Sequence, residues 1–377
     1  MEQLKYKVLE AFEAHFGAGA TLFGSPGRIN LIGEHTDYNG GFVFPGAVDK
    51  GIVAAIRPSE NRTVNITALD LNESCTFSLD DEKPAPSWTH YIYGVCQEVI
   101  KRGGNISGFD AVFAGNVPLG AGMSSSAALE STFAFALNDL YNCGFEKFEL
   151  ARIGQATEHN YCGVKCGIMD QFASVHGRKG CLMRLDCRSG EFVYYPFKAE
   201  GYRLFLLDTK VKHALVGSPY NDRRASCERV AQALGRELLR GADMADLEAI
   251  RPTLSDEDYR RARYIIGEER RVMQVCDALE RGDMEEVGRR MFETHHGLSK
   301  DFEVSCVELD YLADVAEEYG VTGARMMGGG FGGCTINLIR EELFEGFVEE
   351  VSRRFEQQFG HAPAHYEIVI SDGARRM

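Results

Sequence analysis

The segment that most narrows the possible folds is Asn116-Val117-Pro118-Leu119-Gly120-Ala121-Gly122-Met123-Ser124-Ser125-Ser126-Ala127-Ala128-Leu129-Glu130. A β-rich run over 109–113 precedes it, and Leu129, Phe133, Ala136 and Leu140 then share one face of a helix. Strand, glycine turn and helix in that order set a helix start beside the end of a strand. Gly120 and Gly122 carry no side chains, so backbone N–H groups can converge there. The three serines fall at the helix start, where unpaired N–H groups and about half a unit of positive dipole charge face outward. Such a turn suits a phosphate. It is not a Walker loop, because no Gly-Lys-Ser/Thr follows, and Ser125 stands where a dinucleotide fingerprint has its third glycine. The plainer alternative is a glycine turn closed by a serine N-cap, with no ligand.

Three further clusters carry candidate chemistry. Gly328-Gly329-Gly330-Phe331-Gly332-Gly333 satisfies the letters of a dinucleotide motif, yet Cys334-Thr335-Ile336-Asn337-Leu338-Ile339 after it is a strand, not the required helix. What remains is a glycine turn that other backbone, or a ligand, can approach closely; a tight hairpin explains it equally well. Gly27-Arg28-Ile29-Asn30-Leu31-Ile32-Gly33-Glu34-His35-Thr36-Asp37-Tyr38 places four ionisable side chains within ten residues, between glycines. A charged surface loop would look similar, but short directional hydrogen-bonding groups in one loop suit a polyhydroxyl ligand. Gly167-Ile168-Met169-Asp170-Gln171-Phe172 sets one carboxylate in an apolar stretch, twelve residues beyond Glu158. Either a helix cap or a partly desolvated functional carboxylate would account for Asp170.

Composition removes several classes. Net charge is −15 with no offsetting basic tract, so a phosphate-tracking nucleic-acid surface is not expected. Hydrophobic content of 44% excludes disorder, and no run of 18 apolar residues exists to span a membrane. Eleven cysteines, an odd number, and an amphipathic start with Leu4, Val8, Phe12 and Phe16 at helical spacing predict a reducing, cytoplasmic setting without a leader. His159, Cys162 and Cys166 are spaced as if for zinc, but a fourth ligand and a CxxC knuckle are missing, so they read as core packing. The pair His295-His296 reads as surface or core filling.

At 377 residues two lobes are expected, divided as 1–195 and 196–377. Strands are predicted at 52–57, 63–68, 75–79, 109–113, 334–339 and 366–370, and helices at 129–141, 148–161, 222–239, 256–279 and 285–295. That irregular mixture predicts an α+β fold.

Together the clusters resemble the galactokinase branch of the GHMP small-molecule kinases, over nearly the whole chain. Gly33-Glu34-His35-Thr36-Asp37-Tyr38 is similar to the galactokinase signature, 118–128 to the superfamily's ATP-binding motif, 328–333 to its third, glycine-rich motif, and 167–171 to the segment with the catalytic aspartate. Met123 stands where leucine is more usual. The resemblance implies a two-lobed GHMP-kinase fold with its active site between the lobes. It implies transfer of the γ-phosphoryl group of ATP to the anomeric hydroxyl of α-D-galactose, with Mg²⁺, galactose and ATP as the small-molecule partners and no obligate protein partner. By position it implies Asp170 as base and Arg28 as its charge partner. Gly120, Ala121, Gly122, Met123, Ser124, Ser125 and Ser126 would hold the nucleotide, with Ser126 and Glu158 on the metal. Glu34, His35, Thr36, Asp37, Gly167 and Tyr220 would bind the sugar, Tyr220 coming from the weaker match Ser218-Pro219-Tyr220-Asn221-Asp222. A sibling kinase for N-acetylgalactosamine or L-arabinose, and a silent sugar-and-ATP sensor, stay open at this point.

Overall fold

The strand that carries Arg28, Thr21–Asn30, is second from one edge of the first sheet and is buried along most of its length. In spatial order that six-stranded sheet reads Arg375–Arg376, Thr21–Asn30, Pro45–Pro58, Phe109–Gly115, Thr63–Ala68 and Glu73–Ser78. Its pairs are antiparallel except that of Thr63–Ala68 with Phe109–Gly115, which run parallel across a helical crossover. The register slips between Pro26 and Arg28 opposite Gly51 and Ala47. Proline tolerates such a bulge, and the bulge re-aims the side chain that follows it. The structure is a computed structural model and describes residues 1–118, 120–211 and 219–377, with the backbone alone for Glu2. Leu119 of the glycine turn and Ser218 ahead of Tyr220 lie outside the described residues.

Helices cover one face of this sheet because their apolar stripes match it. Phe133, Ala136 and Leu137 of Ser125–Leu140 pack with Phe109, Phe113 and Ile56 of the strands. The short helix Met169–His176 lies against the same sheet beside Lys147–Thr157, with Phe172 and Val175 fully buried. Asp170 therefore begins a helix next to the strand that holds Arg28.

The second half of the chain builds an antiparallel sheet, Gly323–Met326, Cys334–Arg340, Tyr202–Asp208 and Ala364–Glu367. Around it lie the long helices Asp256–Glu280 and Met284–Lys300, and Val307–Tyr319 and Phe344–Phe359. A third small sheet joins Phe42–Val43, Cys181–Asp186 and Phe192–Pro196. The α+β expectation holds, in the two-part arrangement. One apolar cluster crosses the middle: Ile29, Leu31 and Phe44 meet Leu206, Val272, Val275 and Ile336. The end of the chain also returns to the first sheet, where Arg375–Arg376 pairs with Phe23 and Gly24. A cut at 195/196 thus leaves one strand of the first sheet on the wrong side. Among the described residues no helix is long and apolar enough to cross a membrane.

Candidate active site

One cleft between the two halves collects the scattered motifs. Arg28, Glu34, His35, Asp37, Gly120, Gly122, Met123, Ser124, Ser125, Ser126, Glu158, Gly167, Asp170 and Tyr220 all line it, together with the third glycine turn. Two expected residues do not line it. Ala121 is buried in the cluster between the lobes. Thr36 is fully buried, and its hydroxyl donates to the Gly33 carbonyl at 2.9 Å and the Phe42 carbonyl at 2.6 Å, so it shapes the loop from behind.

Arg28 and Asp170 form a two-pronged ion pair, Nε to Oδ1 at 2.7 Å and a terminal nitrogen to Oδ2 at 2.8 Å. Planar guanidinium against planar carboxylate fixes both groups, and 142 residues of chain separate them. Burial works against the Arg28 cation, but attraction to Asp170, Glu34 and Asp37 outweighs it and holds the charge. The Ser124 hydroxyl also donates to Asp170 Oδ2. Arg28 grips the phosphate turn as well: its side chain donates to the Gly122 carbonyl and its backbone N–H to the Met123 carbonyl at 3.0 Å.

The phosphate turn and the third glycine turn touch backbone to backbone. A Cβ on Gly122 would meet the Met327 carbonyl oxygen at 2.9 Å, and one on Gly333 would meet the Gly120 carbonyl oxygen at 3.0 Å. The residues 328–333 indeed connect two strands of a hairpin, Gly323–Met326 and Cys334–Arg340, and they brace the phosphate turn from the other lobe.

The opposite end of the cleft is a polar loop under tight control. Glu34 is paired with Arg325 at 2.9 Å, both essentially inaccessible to water, and accepts from Asn30 at 3.1 Å. Arg325 further binds the carbonyls of Leu31 and Met326. Burial, reinforced by Arg223 and Arg325, lowers the His35 pKa to about 3, so its ring is neutral; it sits 2.8 Å from the Tyr38 hydroxyl and against Tyr220. Burial and then the nearby Asp170 raise the Asp37 pKa to about 6. Gly167 has to be glycine here, since a Cβ would lie 1.9 Å from Asp37 Oδ2.

The helix predicted over 148–161 ends as α-helix at Thr157 and continues as a π-helical turn, Glu158–Cys162, a widened geometry common at functional sites. That turn aims Glu158 inward. Burial raises its pKa to about 7, Ser126 hydrogen-bonds to it, and its Oε2 is buried without a hydrogen-bond partner among the described residues. A serine hydroxyl and a carboxylate with a spare oxygen are hard donors, so this pair fits a divalent cation such as Mg²⁺. His159 turns to the Cys166 carbonyl at 2.8 Å; the described ligand-type cluster here is Glu130, Glu158 and Cys162, not His159 with both cysteines. His295 is core filling with a purpose, accepting from the Met326 N–H at 3.1 Å and lying 3.3 Å from Asp310.

Sequence reasoning missed Arg325, Glu130, Gln171 and Cys166. Cys166 and Gln171 line the cleft, while Gln171 donates to the buried Glu130 carboxyl at 3.0 Å. Arg325 had a visible signal, a lone charge inside the strand Gly323–Met326 directly before the glycine turn.

A serine-bearing phosphate turn braced by a glycine hairpin, with a part-buried Arg–Asp pair at its mouth, defines a small-molecule kinase of the GHMP class. Family models agree: that for the GHMP kinases N terminal domain matches residues 90–178 and that for the GHMP kinases C terminal matches 276–357. The galactokinase galactose-binding signature matches residues 10–58. Galactokinase of Clostridium beijerinckii is 38% identical over 368 residues, covering 95% of each chain. That of Thermotoga maritima is 39% identical over 354 residues, covering 94% of this chain and 99% of its own. The structure of Lactococcus lactis galactokinase complexed with galactose matches with a TM-score of 0.94 at 33% identity, covering 98% of both chains. Methanococcus jannaschii mevalonate kinase, at 18% identity and a TM-score of 0.66, shares the fold. This chain belongs to the galactokinase family, and is an ATP-dependent sugar kinase.

Proposed function

We propose that the chain binds galactose and ATP in this one cleft and transfers the γ-phosphoryl group to the anomeric hydroxyl, giving α-D-galactose 1-phosphate and ADP. The observation that carries the reading is the Arg28–Asp170 pair, set between the phosphate turn on one side and the Glu34–Asp37 loop on the other. Asp170 orients the anomeric hydroxyl and takes its proton as the O1–Pγ bond forms and the bond from Pγ to the bridging oxygen of ADP breaks. Arg28 pairs with that carboxylate through two hydrogen bonds and faces the charge on the transferred phosphoryl group. The N–H groups of 120–126 and the start of Ser125–Leu140 bind phosphate oxygens. Ser126 and Glu158 would hold Mg²⁺, which when bound neutralises phosphate charge.

For the sugar, Glu34 and His35 are assigned to the 6-hydroxyl and Asp37 and Tyr220 to the 3- and 4-hydroxyls, with Gly167 giving them room. A buried acceptor left without its axial hydroxyl costs about 1–3 kcal/mol, which is the basis for choosing between epimers. Locally concentrated positive charge is necessary because the chain as a whole is at −15. Coupled detection of ADP tests the reading: the wild type should turn over galactose faster than N-acetylgalactosamine or L-arabinose. Asp170→Asn should lower the rate by at least about 100-fold while galactose still binds in calorimetry. Binding of both ligands by the wild type without ADP release would favour the sensor instead, and a near-normal rate for Asp170→Asn would remove the assigned base.

A further inference from the structure

Ser124 does two things that a serine at a helix start ordinarily avoids. It adopts the left-handed conformation, with φ 54° and ψ 62°, which disfavours any residue with a Cβ. It also stands at the N-cap of Ser125–Leu140 without making a side-chain cap hydrogen bond, although serine is among the best capping residues. Both departures have the same result: the hydroxyl points away from its own helix and donates to Asp170 Oδ2. Local strain and a forgone cap persist only where the surroundings over-determine them. Here they do, because Arg28 holds the carbonyls of Gly122 and Met123 just before Ser124, and a Cβ on Gly27 would sit 2.5 Å from the Met123 oxygen.

The two oxygens of Asp170 are consequently unequal. Among the contacts of the described residues, Oδ2 accepts from Arg28 and from Ser124, whereas Oδ1 accepts from Arg28, at 2.7 Å. We propose that Ser124 is a positioning residue for Asp170: by saturating Oδ2 and fixing the carboxylate plane, it makes Oδ1 the oxygen that meets the sugar hydroxyl. The inference rests on the sugar-kinase reading above and assigns Ser124 to the sugar side of the reaction, not only to the phosphates. It also links the nucleotide turn mechanically to the base, since the same residue belongs to both.

The test compares Ser124→Ala with Ser124→Gly in single-turnover phosphoryl transfer and steady-state kinetics. Alanine keeps the backbone strain and loses the hydroxyl; glycine loses the hydroxyl and relaxes the strain. A hydrogen bond to a charged group at this position predicts that both variants slow the transfer step about 10- to 100-fold, with KM for galactose and for ATP each within about 3-fold of wild type. A wild-type transfer rate in either folded variant would overturn the proposal. So would a loss confined to KM for ATP, which is the signature of a residue that binds only phosphate. If Ser124→Ala fails to fold, Ser124→Gly alone decides between these outcomes, because left-handed backbone suits it. A wild-type chain that binds both ligands and never transfers phosphate would overturn the sugar-kinase reading and this inference with it, whereas an active wild type beside fully active variants would overturn this inference only.

Discussion

Replacing Asp37 by Asn separates what the sugar loop costs from what it does. Burial, and then repulsion from Asp170, raise the Asp37 pKa from 3.8 to about 6. At about 1.4 kcal/mol per tenfold, keeping this group ionised at neutral pH costs the folded state about 3 kcal/mol. Asparagine has the same shape, so it fits beside Gly167, and its oxygen can still accept from the Tyr38 N–H, 2.9 Å away in the wild type. Its amide nitrogen, however, would face the Met169 N–H that now bonds the carboxylate, at a cost of about 1–2 kcal/mol. The balance makes Asp37→Asn more stable than the wild type by about 1–2 kcal/mol at pH 7.5 without sugar.

The pH dependence follows from the direction of the displacement. A carboxyl whose pKa is raised on folding binds its proton more tightly in the folded state, so the wild type gains stability from this group as pH falls through about 6 toward 3.8. Asparagine has nothing to protonate. Its advantage should therefore shrink by about 1.5 kcal/mol between pH 7.5 and pH 5 and nearly vanish at the lower pH. Urea denaturation of both proteins at the two pH values reads this directly. Stability curves that run parallel, or a variant less stable at pH 7.5, would refute the reasoning. In the proposed role the same variant should bind galactose at least about 10-fold more weakly, a stability–function trade typical of ligand sites.

Arg325→Met should destabilise the fold by about 3–5 kcal/mol in urea, because it leaves the Glu34 carboxylate buried without its ion partner. Adding Glu34→Gln should recover part of that loss, and strictly additive effects would contradict a coupled pair. Gly167→Ala should raise KM for galactose by at least about 10-fold with KM for ATP little changed, since its Cβ collides with Asp37. Gly333→Ala, left-handed at φ 83° and pressed on the Gly120 carbonyl, should do the reverse, with ATP affinity falling and sugar affinity preserved; equal effects on both substrates would argue against two separately built ends of the cleft.

Two long periodic helices of the second half were legible nearly to their ends, whereas the helix predicted at 222–239 is Pro219–Ala233 and stops six residues early. The segment predicted at 256–279 is Asp256–Glu280, and that at 285–295 lies inside Met284–Lys300. The strand predicted at 63–68 is Thr63–Ala68 itself, and the expected last strand at 366–370 is Ala364–Glu367, shifted by a few residues. Local signals failed where tertiary context overrode them. Thr21–Asn30 contains Gly24, Pro26 and Gly27, all turn formers, yet it is a buried strand because its neighbours supply the pairing and the bulge absorbs the proline. Met169–His176 is short enough that packing, not propensity, makes it a helix.

The order of residues alone determined the chemistry available: a glycine–serine turn before a helix, a loop of short polar groups, an isolated aspartate and a second glycine turn. Each of those is a local property, set by backbone freedom and side-chain type within a dozen residues. Only the tertiary structure decided that Arg28 would meet Asp170, that Arg325 would lock Glu34 from the other lobe, and that Ser124 would give up its own helix for a carboxylate 46 positions away. Those contacts depend on how two sheets and their helices share a core. No local propensity encodes them, because the energy that selects them comes from burial and charge pairing between parts of the chain that are strangers in sequence.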